Sequence, residues 1–243
     1  MAGPRTHVEM AARAWEQYLR LRPDIRPELG GWFEHAGVRA AFYSGCIFPD
    51  WGYGGIDDEA AEDSHWPPFQ EELLAQARAQ CARPWSVDGG RLMAFALGVV
   101  VHGISDDLWH FSRDRHTCFL DMALQKDGLE HGPCERVCEV FVHLECPGRP
   151  MLGRFWWPDR AVLEVYARRG FTVTPAQLKA GYRKMAGQWR QGAWLGWLAY
   201  PTCRMRYAWC REHYRGDAHG AVEHSARAAA ARLVEVCPEL VLG

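Results

Sequence analysis

The sequence has no apolar run long enough to cross a bilayer: the longest, Leu92 to Val101, stops at His102, well short of the ~20 residues required. No transmembrane segment is expected. An excess of either charge is also absent, since 28 Lys and Arg stand against 30 Asp and Glu for a formal net charge of -2, so no general attraction to nucleic acid or acidic membranes follows. Met1-Ala2-Gly3-Pro4-Arg5-Thr6-His7 lacks the apolar stretch of a secretory signal, and the expectation is a cytoplasmic chain, one already processed, or one with an incomplete N-terminus. Nine cysteines are odd in number and irregular in spacing, which excludes a disulfide framework and predicts mostly buried free thiols. Internal repeats, low-complexity linkers and composition shifts are missing too, so residues 1-243 are read as one domain.

What is present is core material, 48% of the chain being hydrophobic, arranged in period-three-and-four stripes with few alternating stretches. The fold class expected is all-α, a single helical domain. Thr6-His7-Val8-Glu9 has the form of a capping box and predicts a helix from His7 to about Arg20, with Val8, Ala11, Ala12 and Trp15 on one face. Further helices are predicted at Ala36 to Gly45, Phe69 to Cys81, Asp88 to His110, Phe119 to Lys126 and Leu129 to Leu144. Thr174-Pro175-Ala176-Gln177 predicts another helix start, and Ala221 to Val236 reads as a final helix. Phe48 to Trp66, rich in Gly, Asp and Pro, reads as a long loop.

Histidine carries the chemistry, with 11 in the chain. His102, Asp106 and His110 follow at i, i+4 and i+8, so one face of the helix over 88–110 presents imidazole, carboxylate and imidazole. The run before them is apolar nearly all round, and a buried helix carrying such groups needs a compensating partner; zinc uses these ligand types at this spacing. His131 and Glu135 repeat the i, i+4 pattern, but Cys134 and Cys138 are rival ligands there, and spacing leaves that choice open. Asp50 and His65 fall in the long loop, where each has an ordinary reading as a turn residue or an exposed ring.

In this order the sequence also contains Thr6-His7-Val8-Glu9 with Arg13-Ala14, Gly45-Cys46-Ile47-Phe48-Pro49-Asp50, Ser64-His65-Trp66-Pro67-Pro68-Phe69, Pro84-Trp85, Ala94-Phe95 with Gly98, His102 to His110, Phe119-Leu120 and His131 to Glu139. From about residue 5 to about residue 145 this pattern resembles the zinc-dependent phospholipase C/D family, and within it the catalytic domain of the glycosylphosphatidylinositol-specific phospholipases D. The likeness thins beyond Pro147, and no counterpart of the β-propeller that follows that domain is found. The resemblance implies a helical domain of the zinc-dependent phospholipase C and nuclease type with three Zn2+ ions per chain. His65, His102 and Asp106 would hold one ion, and Asp106 would bridge to a second held by His7 and the amino-terminal residue. His110, His131 and Glu135 would hold the third. Asp50 would lie beside the ions as the group that orients or deprotonates the attacking water. Removal of Met1 would leave the Ala2 amine five residues before His7.

Such a site is strongly positive and suits a phosphodiester anion. The implied activity is hydrolysis of phospholipids or of glycosylphosphatidylinositol anchors, with a phospholipid or a lipid-anchored protein as partner. A single-strand-specific zinc nuclease is the alternative, disfavoured by the net charge and by lysine occurring only at 126, 179 and 184. A zinc-stabilised binding domain is a further alternative, against which the presence of Asp50 counts. Trp51, Tyr53 and Trp66 are read as lining of the cleft, with ordinary core packing as the competing role. His35, His116, His143, His213, His219 and His224 are left outside the site.

Overall fold

The computed structural model describes residues 3–24, 31–81, 87–110, 139, 142 and 155–236, with the helical backbone alone given at 87–88, 109–110 and 192–221. Among them every regular element is helical and no strand occurs. The elements are α1 (Pro4–Leu21), α2 (Ala36–Ile47), a 3-10 turn (Phe48–Trp51), α3 (Asp58–Ser64), α4 (Pro67–Gln80), α5 (Val87–His110), α6 (Asp159–Arg168) and α7 (Pro175–Val236). The helices predicted at Phe119 to Lys126 and Leu129 to Leu144 lie outside the described residues, apart from the helical backbone at 139 and 142.

The centre of the fold is α5, because its run from Leu92 to Val101 is apolar on all faces and must be covered on all faces. Helix α2 covers it at closest range. A Cβ on Gly45 would stand 2.1 Å from the Phe95 carbonyl oxygen, and one on Gly98 would stand 2.1 Å from that of Phe42, so the two backbones touch where neither residue has a side chain. Phe48, Phe69, Phe95 and Trp157 pack around this crossing, and burying each aromatic ring stabilises the fold by roughly 2–3 kcal/mol. Helix α1 lies against α2 and α7 and buries Val8, Ala11, Ala12 and Trp15, the stripe read from the sequence, together with Tyr18.

Three expectations need correction. The capping box at Thr6 does not form: α1 begins earlier, at Pro4, whose missing N–H suits the first helical position, and Glu9 turns instead to Arg13 at 2.7 Å. The free amides of the first turn are satisfied from far away, the buried Glu139 carboxylate accepting from Arg5 N at 2.8 Å and Thr6 N at 3.1 Å. Residues 48–66 are not a long loop either. They hold the 3-10 turn and α3, whose first turn is capped by Asp57 accepting from Ala60 N at 3.1 Å. The two C-terminal helices are one backbone helix, α7. Its predicted start holds, because Thr174 Oγ1 accepts from Gln177 N while Gln177 Oε1 accepts from Thr174 N.

Candidate metal centre

Three elements and one helix cap converge on one buried point. His102 and Asp106 come from α5 one turn apart, His7 from the second turn of α1, Asp50 from the 3-10 turn and His65 from the C-cap of α3. All five are buried, none more than 7% exposed. The rings of His7 and His102 stack at 4.0 Å, and that of His65 meets His102 edge-on at 4.7 Å. The Nε2 atoms of His7, His65 and His102 lie 3.9, 3.4 and 3.9 Å from Asp50, and those of His7 and His65 lie 3.7 and 3.9 Å from Asp106.

Backbone carbonyls aim two of the rings. His65 Nδ1 lies 2.8 Å from the Ala61 oxygen and His102 Nδ1 lies 2.6 Å from that of Cys46, so the proton sits on Nδ1 and the Nε2 lone pair faces inward. Both nitrogens of His7, Nε2 of His65 and His102, and Oδ1 of Asp50 are buried with no hydrogen-bond partner. Each such group costs about 1–3 kcal/mol when left unpaired, and five around one point suit a bound cation. Burial, followed by repulsion from His102, lowers the His7 pKa to about 3, and burial also lowers that of His102. Burial opposes charge at Asp50 and at His65 as well, but the imidazoles override it and keep the carboxylate ionised, while Asp50 holds His65 above the ordinary histidine value. Neutral His7 and His102 beside the ionised Asp50 are donors of the kind that zinc accepts. Two trios have ligand atoms all within 4.8 Å of one another, His7 with Asp50 and His102, and His65 with His102 and Asp106.

The residues read from the sequence are thus brought together at His7, Asp50, His65, His102 and Asp106, while Asp107, on the next face of α5, is exposed. The side chain of His110 and residues His131, Glu135, Cys134, Cys138 and Ala2 lie outside the described residues. Of the aromatics, Tyr53 sits beside the centre, its ring 5.4 Å from His65, and its hydroxyl donates to Glu62, which also accepts from Trp66 Nε1 at 2.9 Å. Trp51 is corrected from lining to core: it is fully buried and its indole N–H donates to the Tyr166 hydroxyl at 2.8 Å, so it packs behind the 3-10 turn. His35 is exposed and caps α2 by accepting from Gly37 N. Two polar residues went unread in the sequence. Glu139 has no local pattern that reveals it, whereas Lys184 lies seven residues after Gln177 on one face of α7, a spacing that was available.

Residues 6–168 match the family model described as zinc dependent phospholipase C. The phosphatidylinositol-glycan-specific phospholipase D of Dictyostelium discoideum is 45% identical over 71 residues, covering 28% of this chain and 7% of that protein. Its Homo sapiens counterpart is 34% identical over 116 residues, 44% of this chain and 13% of that protein. The Bos taurus protein of the same name is 30% identical over 194 residues, 76% of this chain and 21% of that protein. The chain therefore spans about a fifth or less of the length of these curated relatives. No solved structure matches it.

Proposed function

The chain belongs to the zinc-dependent phospholipase C family, and from that premise we propose that it hydrolyses phosphodiester bonds in phospholipids or glycosylphosphatidylinositol anchors. The observation that carries this reading is the set of buried, unpartnered imidazole nitrogens around Asp50. Three zinc ions per chain are assigned as follows: one to His65, His102 and Asp106, one to His7, Asp106 and the amino terminus, and one to His110, His131 and Glu135. Bound zinc supplies the positive charge that attracts a phosphodiester anion and acidifies the attacking water.

The chain's own groups supply the remainder. Asp50, ionised among three imidazoles, accepts the proton of the attacking water at its carboxylate. The Ala61 and Cys46 carbonyls fix the tautomers of His65 and His102, so both present Nε2 without reorganisation. Tyr53 and Trp66, joined through Glu62, form a rim beside His65 where a headgroup is seated. Relatives named for cleavage of phosphatidylinositol-glycan support the lipid-anchor substrate.

The test is incubation of the purified, zinc-loaded protein with a detergent-dispersed lipid-anchored protein, with single-stranded DNA as the control. Release of phosphatidic acid indicates phospholipase D chemistry, and release of diacylglycerol indicates phospholipase C chemistry. DNA cleavage without lipid cleavage overturns the substrate assignment, and a zinc content at or below one per chain after reconstitution overturns the three-ion assignment.

A further inference from the structure

Helix α7 starts after the last residue of the family match, yet its first turns touch the segment that carries Asp50 at three points. Gln177, Gly181 and Lys184 follow at i, i+4 and i+7, so they share one face. Gln177 Nε2 donates to Asp57 Oδ2 at 3.1 Å and reaches the Ile56 carbonyl at 3.5 Å. Gly181 lies directly on Trp51, where a Cβ would stand 2.8 Å from the indole and 2.9 Å from the carbonyl oxygen. The half-buried Lys184 ammonium donates to two backbone oxygens, Asp50 O at 3.1 Å and Tyr53 O at 2.6 Å. Between these contacts the backbone turns through Gly54 and Gly55, both at positive φ, and closes on itself by Ile56 N and Asp57 N donating to Gly52 O at 3.1 and 2.9 Å.

Such a segment has little rigidity of its own. It includes a one-turn 3-10 helix and two conformationally permissive glycines, and its Asp50 carboxylate must stay 3.4–3.9 Å from three imidazoles. We propose that the Gln177, Gly181 and Lys184 face of α7 is a splint that holds Asp50 in register with the metal centre, Lys184 being its principal positioning residue. Lys184 acts through backbone carbonyls and not on the substrate. The splint makes the start of α7 a requirement for turnover although it lies beyond the family match. This inference rests on the reading of Asp50 as the base of a phosphodiester hydrolase.

The test compares Lys184→Met, Lys184→Arg and Asp50→Asn, singly and with K184M placed in the D50N background, all zinc-loaded. The expected result for K184M is a kcat lower by about tenfold at unchanged KM and unchanged zinc content, the cost of a misplaced group. K184R, which keeps a donor to the two carbonyls, recovers most of that loss. In the D50N background K184M has no further effect, because the group it positions is already disabled. Hydrogen exchange gives a readout that needs no substrate: the Ile56 and Asp57 amides exchange faster in K184M while the α5 amides do not change. Gln177→Ala repeats both effects at smaller size should K184M fail to fold. Equal losses from K184M in the wild-type and D50N backgrounds, or unchanged exchange at Ile56 and Asp57, overturn the splint. A wild-type protein inactive on every phosphodiester, with exchange still accelerated in K184M, overturns the hydrolase reading and leaves the mechanical role of Lys184 supported.

Discussion

The two halves of α5 solve opposite problems within one helix. From Leu92 to Val101 the side chains are apolar and buried, and the helix touches α2 backbone to backbone at Gly45 and Gly98. From His102 onward it presents an imidazole and a carboxylate to a cluster whose inward-facing Nε2 atoms have no hydrogen-bond partner among the described residues. The first half is stabilised by packing against its neighbours, and the second offers donors suited to a cation. They adjoin at Val101 and His102, so the rigidity of the apolar half is what holds the donors in place when their mutual interactions are unfavourable.

That division predicts opposite responses to substitution. The largest effect is expected in the apolar half: Gly98→Ala places a Cβ 2.1 Å from the Phe42 carbonyl oxygen and 2.9 Å from Cys46 N, backbone atoms that cannot yield. It should destabilise the protein by roughly 3 kcal/mol or more, with or without zinc, as measured by urea denaturation. Next is Asp50→Asn, expected to lower kcat by about 10²- to 10⁴-fold with zinc content nearly intact. Zinc lost in proportion to activity would place Asp50 among the ligands, as its grouping with His7 and His102 allows.

A third effect is on pH. In the metal-free protein the folded pKa values of His7, at about 3, and of His102 lie below the unfolded value of about 6.5, so the unfolded chain binds protons that the fold refuses. Their contribution is fully present above pH 6.5, and stability falls as pH drops from there toward 3. His65, raised by Asp50, works in the opposite sense above 6.5. Urea midpoints across pH 4–8 check the slope. The smallest effect sharpens the contrast: His7→Leu removes a ring with two unpartnered nitrogens, and should raise metal-free stability by about 1 kcal/mol while weakening zinc retention. A metal-free H7L protein less stable than wild type would show that the polar side is not the costly one.

The same contrast explains what the sequence could disclose. Period and apolar content made α5 and the stripe of α1 legible, and the i, i+4 spacing of His102 and Asp106 was legible because both lie on one helix. His7, Asp50 and His65 join them from three other elements, and no spacing rule spans such gaps, so only the resemblance to a family pointed to them. Thr6 with Glu9 and Thr174 with Gln177 offered equally good capping boxes, of which only the second forms. At Thr6 the amides take their acceptor from Glu139, 133 positions away, which local pattern cannot see. Composition misled at residues 48–66, where Asp57 serves as a helix cap and the glycines occupy turns of a folded segment.

The clasp of Glu139 on the start of α1 also sets an order of events during synthesis. Its carboxylate binds the Arg5 and Thr6 amides, and a Cβ at Gly3 would stand 2.4 Å from Oε2, so the carboxylate occupies the space beside the first turn. A nascent chain on the ribosome has only water as acceptor for those amides until Glu139 has emerged. His7, one residue beyond them, is therefore the first side-chain ligand to be translated, and the turn that carries it waits for Glu139.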